Sequence, residues 1–434
     1  MKLLKETIYN LRRQPVISMV TIIGTALSIF LVMVVVMLHQ VQVIPFSPES
    51  NRDRFQHYSW ISFGNTEWGD PTESNSNGPM AFKVVKEFFY QLEEPEAVTA
   101  YVCQPMVKSV SLPKQKPFSA DVRETDANYF KVFDLKFITG APYTQADFES
   151  GLPKAVIDEN VATRLYGTTD AVGKEFLLNG GTYKVTGVVR PVSTIAENAY
   201  AHLWINTTST GGPEGNWSTI GGMYSVTLLA KDSGKESMEA LHDEVERRLV
   251  EYNKEIGTAG WMIINRNRPY TQEKEAAGGG ANVEPDEKGA RKVRWITFAI
   301  LLIVPAINLS SMTHSRLRRR VSEIAVRRAF GQTRMTTVIS VINENLIVTI
   351  IAGLIGLLMS VVLAYVFGDM LFAKGYSFTL SRPDTDMSML LSWSTFGWAL
   401  LFCFILNILS SGIPAIQASR QPLVNSLRGG GNNH

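Results

Sequence analysis

Two residue types that support much of enzymatic chemistry are scarce in this sequence. Of its 434 residues, two are cysteine and six are histidine. A pair of cysteines, Cys103 and Cys403, excludes the disulfide framework that stabilises small secreted proteins. The histidines are scattered without the spacing of a zinc site. The sequence therefore predicts no metal centre.

The signatures of common catalytic sites are also missing. The stretch Gly167-TTDAVGKE comes nearest to a phosphate-binding loop, but five residues separate its glycines instead of four. In addition, Glu175 stands where Ser or Thr would bind magnesium. No Gly-x-Ser-x-Gly turn and no His-Glu-x-x-His pair occurs. We expect no enzymatic activity, no catalytic, cofactor-binding or metal-binding residue in this chain, and no nucleic acid partner.

Charged residues are missing from four long apolar runs. A helix needs about 20 apolar residues to cross a bilayer. Three runs are 16–38, 295–313 and 345–367, and a fourth span is placed at 390–413 within a longer uncharged stretch. One such run could be a buried core helix, but four predict a membrane protein with four transmembrane helices. The first run is too long for a signal peptide and no cleavage site follows Leu38, so we expect a retained anchor.

Basic residues set the predicted orientation. Residues 1–15 carry four basic side chains against one acid, and 314–334 carries seven arginines against one acid. Cytoplasmic loops are enriched in Lys and Arg. We therefore expect 1–15 to be a cytoplasmic interfacial helix, with 314–334 and the tail 414–434 on the same side. The large segment 39–294 and the short loop 368–389 then lie outside the cytoplasm.

The large outer segment divides by its residue pattern. Strand-like runs and amphipathic helices in 39–112 recur in 223–275, which predicts one α/β part built from both ends of the segment. Between them, 113–222 is dense in Gly and Pro with short alternating runs, which is typical of β-structure. The predicted fold class is therefore a membrane α-helical protein with a large α+β domain. A domain of this size without disulfides fits a Gram-negative periplasm at least as well as an animal cell surface.

Small residues share one face on two of the predicted spans. Gly24 and Ser28 lie four residues apart on the first, and Ala352, Gly356 and Ser360 fall at i, i+4 and i+8 on the third. Such faces let membrane helices approach closely. Because no span contains an ionisable residue that would mark a solute route, we interpret these positions as helix-packing sites.

The arginine-rich segment 314–334 has two interpretations. Its arginines could serve topology and attraction to anionic lipid alone. However, 320–330 carries apolar residues at helical spacing, Glu323 precedes Arg327 by four residues, and Gly331 then breaks the helix. A short cytoplasmic helix between two spans is suited to docking a soluble partner.

The same segment resembles a known family. Arg318-RRVSEIAVRRAFGQTRMTTVISVINENLI is similar to a pattern of the MacB/FtsX-like permeases of ABC transporters, also called type VII or mechanotransmission transporters. The matching residues are Glu323, Ile324, Arg327, Arg328, Ala329, Gly331, Arg334 and Glu344. The tail resembles the family's ending through Pro414, Ala415, Ala418, Pro422, Leu427 and Arg428. Val122-RETDANYFKVFDLKFITGAPYTQADF and Ala155-VIDENVATRLYGTTDAVGKEF resemble the family's periplasmic core region.

The resemblance implies an architecture and partners. The outer domain would combine an α/β Porter-like part with a β-rich Sabre-like insertion. MacB itself carries its ATPase on the same chain, whereas this sequence starts almost directly with the first span. Two copies of an ABC ATPase subunit in trans would therefore bind the ATP and Mg, and a second permease chain, identical or homologous, would pair with this one in the bacterial inner membrane. The ATPase-docking residues would be Arg319, Arg320, Glu323, Ile324, Arg327, Arg328, Gly331 and Arg334.

The function implied by the resemblance is transmission of ATP-driven conformational change to the outer domain, for export from the periplasm or envelope. A periplasmic adaptor, an outer-membrane channel and membrane lipid would be further partners. A first alternative is a transmembrane regulator or sensor that controls a cell-wall hydrolase or reports a bound peptide by the same mechanotransmission. A second is a membrane-anchored binding protein without an ATPase.

Overall fold

The structure is a computed structural model of the chain. It describes residues 15–65, 74–212, 219–256, 261–319 and 333–372, with isolated positions at 326, 330, 331, 397, 401, 404, 405 and 408. These residues divide into two compact units. The helical unit contains the described residues of Met1–His39, Arg291–Phe367 and Leu390–His434, and the sheet unit contains those of Gln40–Ala290 and Gly368–Met389.

The elements of the described residues follow in chain order. The helices are α1 (Pro15–Val43), α2 (Phe82–Glu87), α3 (Tyr129–Val132), α4 (Gln145–Glu149), α5 (Glu159–Tyr166), α6 (Lys235–Ile256), α7 (Gln272–Ala276), α8 (Glu287–Arg319) and α9 (Arg334–Phe372). The strands are β1 (Phe55–Tyr58), β2 (Ile61–Gly64), β3 (Asn75–Gly78), β4 (Ala97–Val102), β5 (Met106–Ser111), β6 (Phe118–Thr125), β7 (Phe137–Gly140), β8 (Lys154–Asp158), β9 (Glu175–Leu178), β10 (Gly181–Val189), β11 (Leu203–Asn206), β12 (Tyr224–Leu229), β13 (Met262–Ile264) and β14 (Tyr270–Thr271).

Long apolar helices make up the helical unit. In the described residues, two helical stretches are long and apolar enough to cross a membrane, Ser18–Val43 of α1 and Val338–Gly368 of α9. They overlap the predicted spans 16–38 and 345–367. Both helices extend beyond the predicted spans. A charged or polar residue ends the apolar run in the sequence, but it does not end the backbone hydrogen bonding of the helix.

The other predicted membrane segments are described in part. The span 295–313 lies within α8, and 390–413 is described at five positions, each of them helical. Segments 1–15 and 414–434 lie outside the described residues, apart from Pro15. A count of four transmembrane helices therefore stays a prediction.

Helix α1 is apolar around most of its circumference. Exposed side chains recur every three or four residues along one side, and another side is buried. The exposed series is Val16, Met19, Val20, Ile23, Leu27 and Leu31. The buried series includes Thr21, Thr25, Ala26, Ile29 and Met33. A helix with apolar residues on both its exposed and its packed side suits a lipid environment.

Six strands of the sheet unit close into a ring. The pairs run from β5 to β6, β11, β8, β10 and β9, and β9 pairs again with β5. A closed ring leaves no free strand edge within it. The interior is filled by buried apolar side chains from these strands and from α5, including Val122, Ile157, Leu165, Phe176 and Leu203. The ring is therefore a packed barrel.

Four further strands extend this sheet in the order β4, β12, β1 and β14. Strand β12 pairs antiparallel with both β4 and β1. Strands from the two ends of the outer segment are therefore neighbours. Helices α2 and α6 cover one face, where Phe82, Val85, Leu241 and Val245 join a buried apolar cluster with strands β4 and β12.

The barrel does not begin where the sequence pattern changes. The predicted boundary between 39–112 and 113–222 falls in the turn between β5 and β6, two strands that pair with each other inside the ring. Before that turn lie two separate strands, β4 and β5, and Pro105 between them has no N–H for a ladder hydrogen bond. The β-rich part thus begins at β5.

Candidate functional site

The predicted docking residues lie mostly outside the described part of the chain. Arg319 ends α8 and Arg334 begins α9. Gly331 has a φ of +96°, a conformation that favours glycine. Thr333 then caps α9, since its hydroxyl accepts a hydrogen bond from the backbone N–H of Thr336 at 3.2 Å. The predicted residues outside the described part are Arg320, Glu323, Ile324, Arg327 and Arg328.

The small residues of α9 lie against α1 within the helical unit. A Cβ built on Gly356 would lie 2.7 Å from the carbonyl oxygen of Ala26 and 3.2 Å from the Cβ of Ile29. Ala352 and Ser360, one turn to either side, are fully buried. The structure thus places Gly356 against α1, and contact of Ala352 and Ser360 with that helix stays a prediction.

The two small residues of α1 have a different arrangement. The hydroxyl of Ser28 donates to the carbonyl oxygen of Gly24 at 2.9 Å, so the side chain bonds within its own helix. Ser28 is buried and Gly24 is half-buried. Their use in packing between helices stays a prediction.

A buried arginine binds the carboxyl end of α1. The last residues of α1, from Gln40 on, belong to the sheet unit. Arg52 is 3% exposed, and its Nη1 donates to the carbonyl oxygen of Val41 at 2.5 Å. The last carbonyl groups of a helix have no partner within it, and a cation there also meets the favourable end of the helix dipole. Arg52 therefore fixes the end of α1.

Glu49 balances the charge of Arg52 and adds a second connection. Its Oε2 accepts from Nε of Arg52 at 2.6 Å, and the carboxylate is fully buried. Its Oε1 accepts from the backbone N–H groups of Asn198 and Ala199 at 2.9 and 3.0 Å. A buried ion pair is tolerated when its remaining hydrogen-bonding capacity is satisfied. Here that capacity is used to hold residues 190–201, which we call the bridging loop.

A second contact at the end of α1 comes from α7. The Nε2 of Gln272 donates to the carbonyl oxygen of Gln42 at 2.7 Å. Its Oε1 lies 2.7 Å from Nε2 of His57 in β1. The final turn of α1 is thus attached to the edge of the sheet as well as to the bridging loop.

Arg123 connects the bridging loop to the barrel. It lies in β6 and is fully buried. Its side chain donates only to carbonyl oxygens here: Nε to Tyr200 at 3.0 Å, Nη2 to Glu197 at 2.8 Å and Nη1 to Val102 at 2.8 Å. The end of α1, the Arg52–Glu49 pair, the bridging loop and Arg123 therefore form one continuous buried network. We call this network the junction.

Little in the sequence indicated the junction. Arg52 lies in a polar stretch that resembles an ordinary solvent-exposed loop, and Arg123 lies in the run 122–148, which resembles the family's periplasmic core region. The one sequence signal for a buried cation is a charged residue next to an apolar one within a strand, as Arg123 is next to Val122. Apart from Glu49 and Ile44, which are three and eight residues from Arg52, their partners are 11 to 143 residues away along the chain, so local pattern does not identify them.

Other buried acids in the sheet unit have structural partners. Burial raises the pKa of Asp126 to about 6, opposed by hydrogen bonds from the N–H of Ala100 and from Thr99 and Tyr90. Burial also raises the pKa of Asp158 to about 7. The Oδ1 of Asp158 caps α5 by accepting from the N–H of Val161 at 2.7 Å, while Oδ2 has no hydrogen-bond partner among the described residues.

Within the described residues, no group of three or more His, Cys, Asp or Glu side chains is placed to hold a metal ion. The stretch from Gly167 to Glu175 links α5 to β9. Gly167 ends α5 with a φ of +71°, and the ammonium group of Lys174 lies over the ring of Tyr166 at 5.1 Å.

Known proteins match both units of this chain. A family model described as MacB-like periplasmic core domain matches residues 18–248, and one described as FtsX-like permease C-terminal matches residues 295–423. An uncharacterized ABC transporter permease, YknZ of Bacillus subtilis (strain 168), is 22% identical over 320 residues, which cover 71% of this chain and 70% of that protein.

Similarity also extends to larger proteins and to solved structures. The macrolide export ATP-binding/permease protein MacB 1/2 of Paracoccus denitrificans is 23% identical over 72% of this chain, a match that covers 42% of that protein. The crystal structure of the periplasmic region of MacB from Actinobacillus actinomycetemcomitans is 17% identical, with a TM-score of 0.32 over 48% of this chain and 88% of that one. By the match of the first family model to more than half of its residues, the chain belongs to the family of ABC transporter permeases with a MacB-like periplasmic core domain.

Proposed function

We propose that this chain is the permease subunit of an ABC transporter and that it transmits ATP-driven movement from cytoplasmic ATPase subunits to its periplasmic domain. The observation that carries the proposal is the junction. A flexible linker after α1 would absorb a displacement of that helix. A buried ion pair with satisfied hydrogen bonds, such as Arg52 with Glu49, resists local distortion and passes the displacement on to the bridging loop.

The proposed arrangement in the membrane follows the charges of the loops. The chain would cross the bacterial inner membrane four times, with both termini and 314–334 in the cytoplasm and the sheet unit in the periplasm. The barrel would correspond to the Sabre-like insertion, and the strands packed beneath α2 and α6 to the Porter-like part. The uncharged spans support movement of the helices in place of a route for solute through them.

The proposed partners are two copies of an ATPase subunit and a second permease chain. The relative from Paracoccus combines ATP-binding and permease in its name, and the match covers less than half of it. The present sequence contains no phosphate-binding loop, which supports binding of ATP and Mg by a separate subunit. Docking would use the segment around Glu323. We propose export as the direction, since that relative is named as an export protein.

A distance measurement tests the junction directly. Spin labels would be placed at exposed Val250 of α6 and exposed Met335 of α9, in a background in which Cys103 and Cys403 are replaced. In the assembled complex, ATP should shift the distance distribution between the labels. Replacing both partners, Glu49→Gln with Arg52→Gln, should remove most of that shift while ATP hydrolysis continues.

The matched control is Arg54→Gln, two residues away. Arg54 bonds to the carbonyl oxygen of Ala230 and to Glu96, and among the described residues it makes no hydrogen bond or ion pair with α1. This variant should keep the ATP-dependent shift. If the double variant at Glu49 and Arg52 shows the same shift as the unmodified complex, the junction does not transmit the movement and the proposal fails.

A further inference from the structure

A small cavity lies in the sheet unit, beside the segment that leads into α8. Its volume is about 120 Å³, and it is partly open to solvent. The walls include Trp60 between β1 and β2, Arg268 and Tyr270 at β14, Glu275 of α7 and the glycine-rich stretch 278–280. A cavity of about 150 Å³ can take up a molecule the size of benzene, so the occupant of this one is small.

Arg268 gives this cavity a buried positive charge. It is 2% exposed, and its side chain donates to the carbonyl oxygens of Asn265 at 3.2 Å, Gly280 at 2.9 Å and Ala281 at 3.1 Å. The Nε of Arg123 donates to a carbonyl oxygen, whereas the Nε of Arg268 has no hydrogen-bond partner among the described residues. No acid in the described part of the chain forms an ion pair with it. Buried charges are normally paired, so the cavity beside Arg268 favours an anionic group.

Glu275 lines the same cavity with the opposite charge. Its Oε1 accepts from the hydroxyl of Ser59 at 2.7 Å, while its Oε2 has no hydrogen-bond partner among the described residues. Burial raises the pKa of Tyr270 to about 12, and Arg268 opposes that rise while Glu275 adds to it. Both charges therefore lie near the same tyrosine, and yet they form no ion pair with each other. Carboxylate oxygens accept from ammonium groups, so the cavity beside Glu275 favours a cationic group.

We propose that this cavity binds a small free amino acid as its zwitterion, with the α-carboxylate at Arg268 and the α-ammonium group at Glu275. Charge-assisted hydrogen bonds of this kind are about twice as strong as those between neutral groups. L-alanine has as many heavy atoms as benzene, so its size suits the volume. Trp60, which is 42% exposed beside the cavity, offers an apolar ring to the side chain of the ligand. The inference goes beyond the proposed function and does not depend on it.

Isothermal titration of the full chain in detergent with L-alanine tests the site. Replacing Arg268 would disturb the cavity itself, because Arg268 also holds Gly280 and Ala281. Glu275→Gln keeps a side-chain oxygen that can accept from Ser59 and removes only the charge. A hydrogen bond to a charged group contributes a factor of about 10 to 100 in affinity. The variant should therefore bind L-alanine about 10- to 100-fold more weakly than the unmodified chain does.

Two analogues of L-alanine test each charge of the ligand without changing its size. L-lactate has a hydroxyl in place of the ammonium group, and L-alaninamide has an amide in place of the carboxylate. Both should bind the unmodified chain more weakly than L-alanine does. L-lactate should bind Glu275→Gln at least as well as it binds the unmodified chain, because it has no positive charge for Glu275 to balance.

The matched control is Glu284→Gln. Glu284 bonds to Lys274 and Asn267 nearby but does not line the cavity, so this variant should keep the affinity for L-alanine. The inference is overturned if the unmodified chain does not bind L-alanine, if L-lactate binds it as tightly, or if Glu275→Gln keeps full affinity. A loss in Glu284→Gln as large as that in Glu275→Gln would also overturn it.

Hydrogen exchange shows whether the ligand lies in this cavity. The glycines of 278–280 are exposed and line it, so bound L-alanine should slow exchange of their amides and leave the barrel strands unaffected. The same concentration of L-alanine should have little effect in Glu275→Gln. Slower exchange confined to other parts of the chain would overturn the cavity as the binding site. These measurements need neither ATP nor an ATPase subunit, so their failure would leave the proposed function standing.

Discussion

Gly356 of α9 and Ala26 of α1 are in backbone contact, with room for no side chain between them. A Cβ on Gly356 would lie 2.7 Å from the carbonyl oxygen of Ala26 and 3.1 Å from the backbone nitrogen of Phe30. Both distances involve backbone atoms, which cannot rotate away. Close approach of this kind is the main source of helix association in lipid, where the hydrophobic effect contributes little.

Gly356→Val should therefore separate α1 from α9. We expect the variant to lose about 1–3 kcal/mol through overpacking and to unfold at lower temperature in detergent. Leu358→Val is the control, because Leu358 is 64% exposed and a smaller side chain there displaces nothing. Equal unfolding temperatures for Gly356→Val and the unmodified chain would contradict the packing.

Arg52→Leu should destabilise the sheet unit strongly. The substitution leaves Glu49 buried without its cation, which typically costs about 3–5 kcal/mol. Adding Glu49→Leu removes the stranded charge and should recover part of the loss. Denaturant unfolding monitored by tryptophan fluorescence measures both variants. A double variant less stable than Arg52→Leu alone would show that Glu49 contributes chiefly through the bridging loop.

Asp158 should make stability depend on pH. Because burial raises its pKa from 3.8 to about 7, the folded carboxyl keeps a proton that the unfolded chain releases above about pH 4. The stability contributed by the protonated form is therefore lost as pH rises through 7. Asp158→Asn can still cap α5 and should flatten this decline between pH 5 and 8.

A second buried group, His202, also contributes to the pH dependence of stability. Burial lowers the pKa of His202, which is opposed by the nearby Asp121, so protonation of His202 destabilises the fold in the acid range. The difference between the unmodified chain and Asp158→Asn isolates the Asp158 contribution. Asp170→Asn, at an exposed position, serves as the control and should preserve the slope. A difference that stays constant from pH 5 to 8 would refute the argument.

Glu323→Lys tests the docking segment. An acid contributes nothing to attraction by anionic lipid, whereas a desolvated charge at a protein interface costs about 2–5 kcal/mol when its partner is removed. We expect this variant to insert normally and to lose association with the ATPase subunit or coupling to it, as judged by copurification and ATP-dependent function. Glu246→Lys, exposed on α6, is the control. If Glu323→Lys keeps both assembly and function, the segment serves only to set the membrane topology and does not dock the ATPase subunit.

Patterns local in the sequence were the ones that could be predicted. The run 16–38 marks a helix because a bilayer demands an uncharged stretch of that length. The spacing of Ala352, Gly356 and Ser360 indicated a packing face, although the sequence did not identify Ala26 as its neighbour. Patterns of this kind depend on residues within a few turns of each other.

Relationships between distant residues could not be predicted in this way. Glu49 accepts from the N–H groups of Asn198 and Ala199, about 150 residues further along the chain. Composition changed near residue 113, but the barrel starts earlier because β5 pairs with β6 and β9. Which strands pair depends on the whole ring, and the sequence of a single strand does not identify its partners.

The pairing of β1 has a consequence for how the protein is made. Its neighbours β12 and β14 are synthesised last among the strands of that sheet. The first residue of β12 to pair with β1 is Val226, which lies opposite Tyr58. The barrel strands, of which β11 is the last in the chain, are complete some 20 residues earlier, so they can fold while the rest of the chain is still emerging. The end of α1 gains its contact with Gln272 only after synthesis has passed that residue. A newly made chain can therefore carry a finished barrel before the contact between Gln272 and the end of α1 forms.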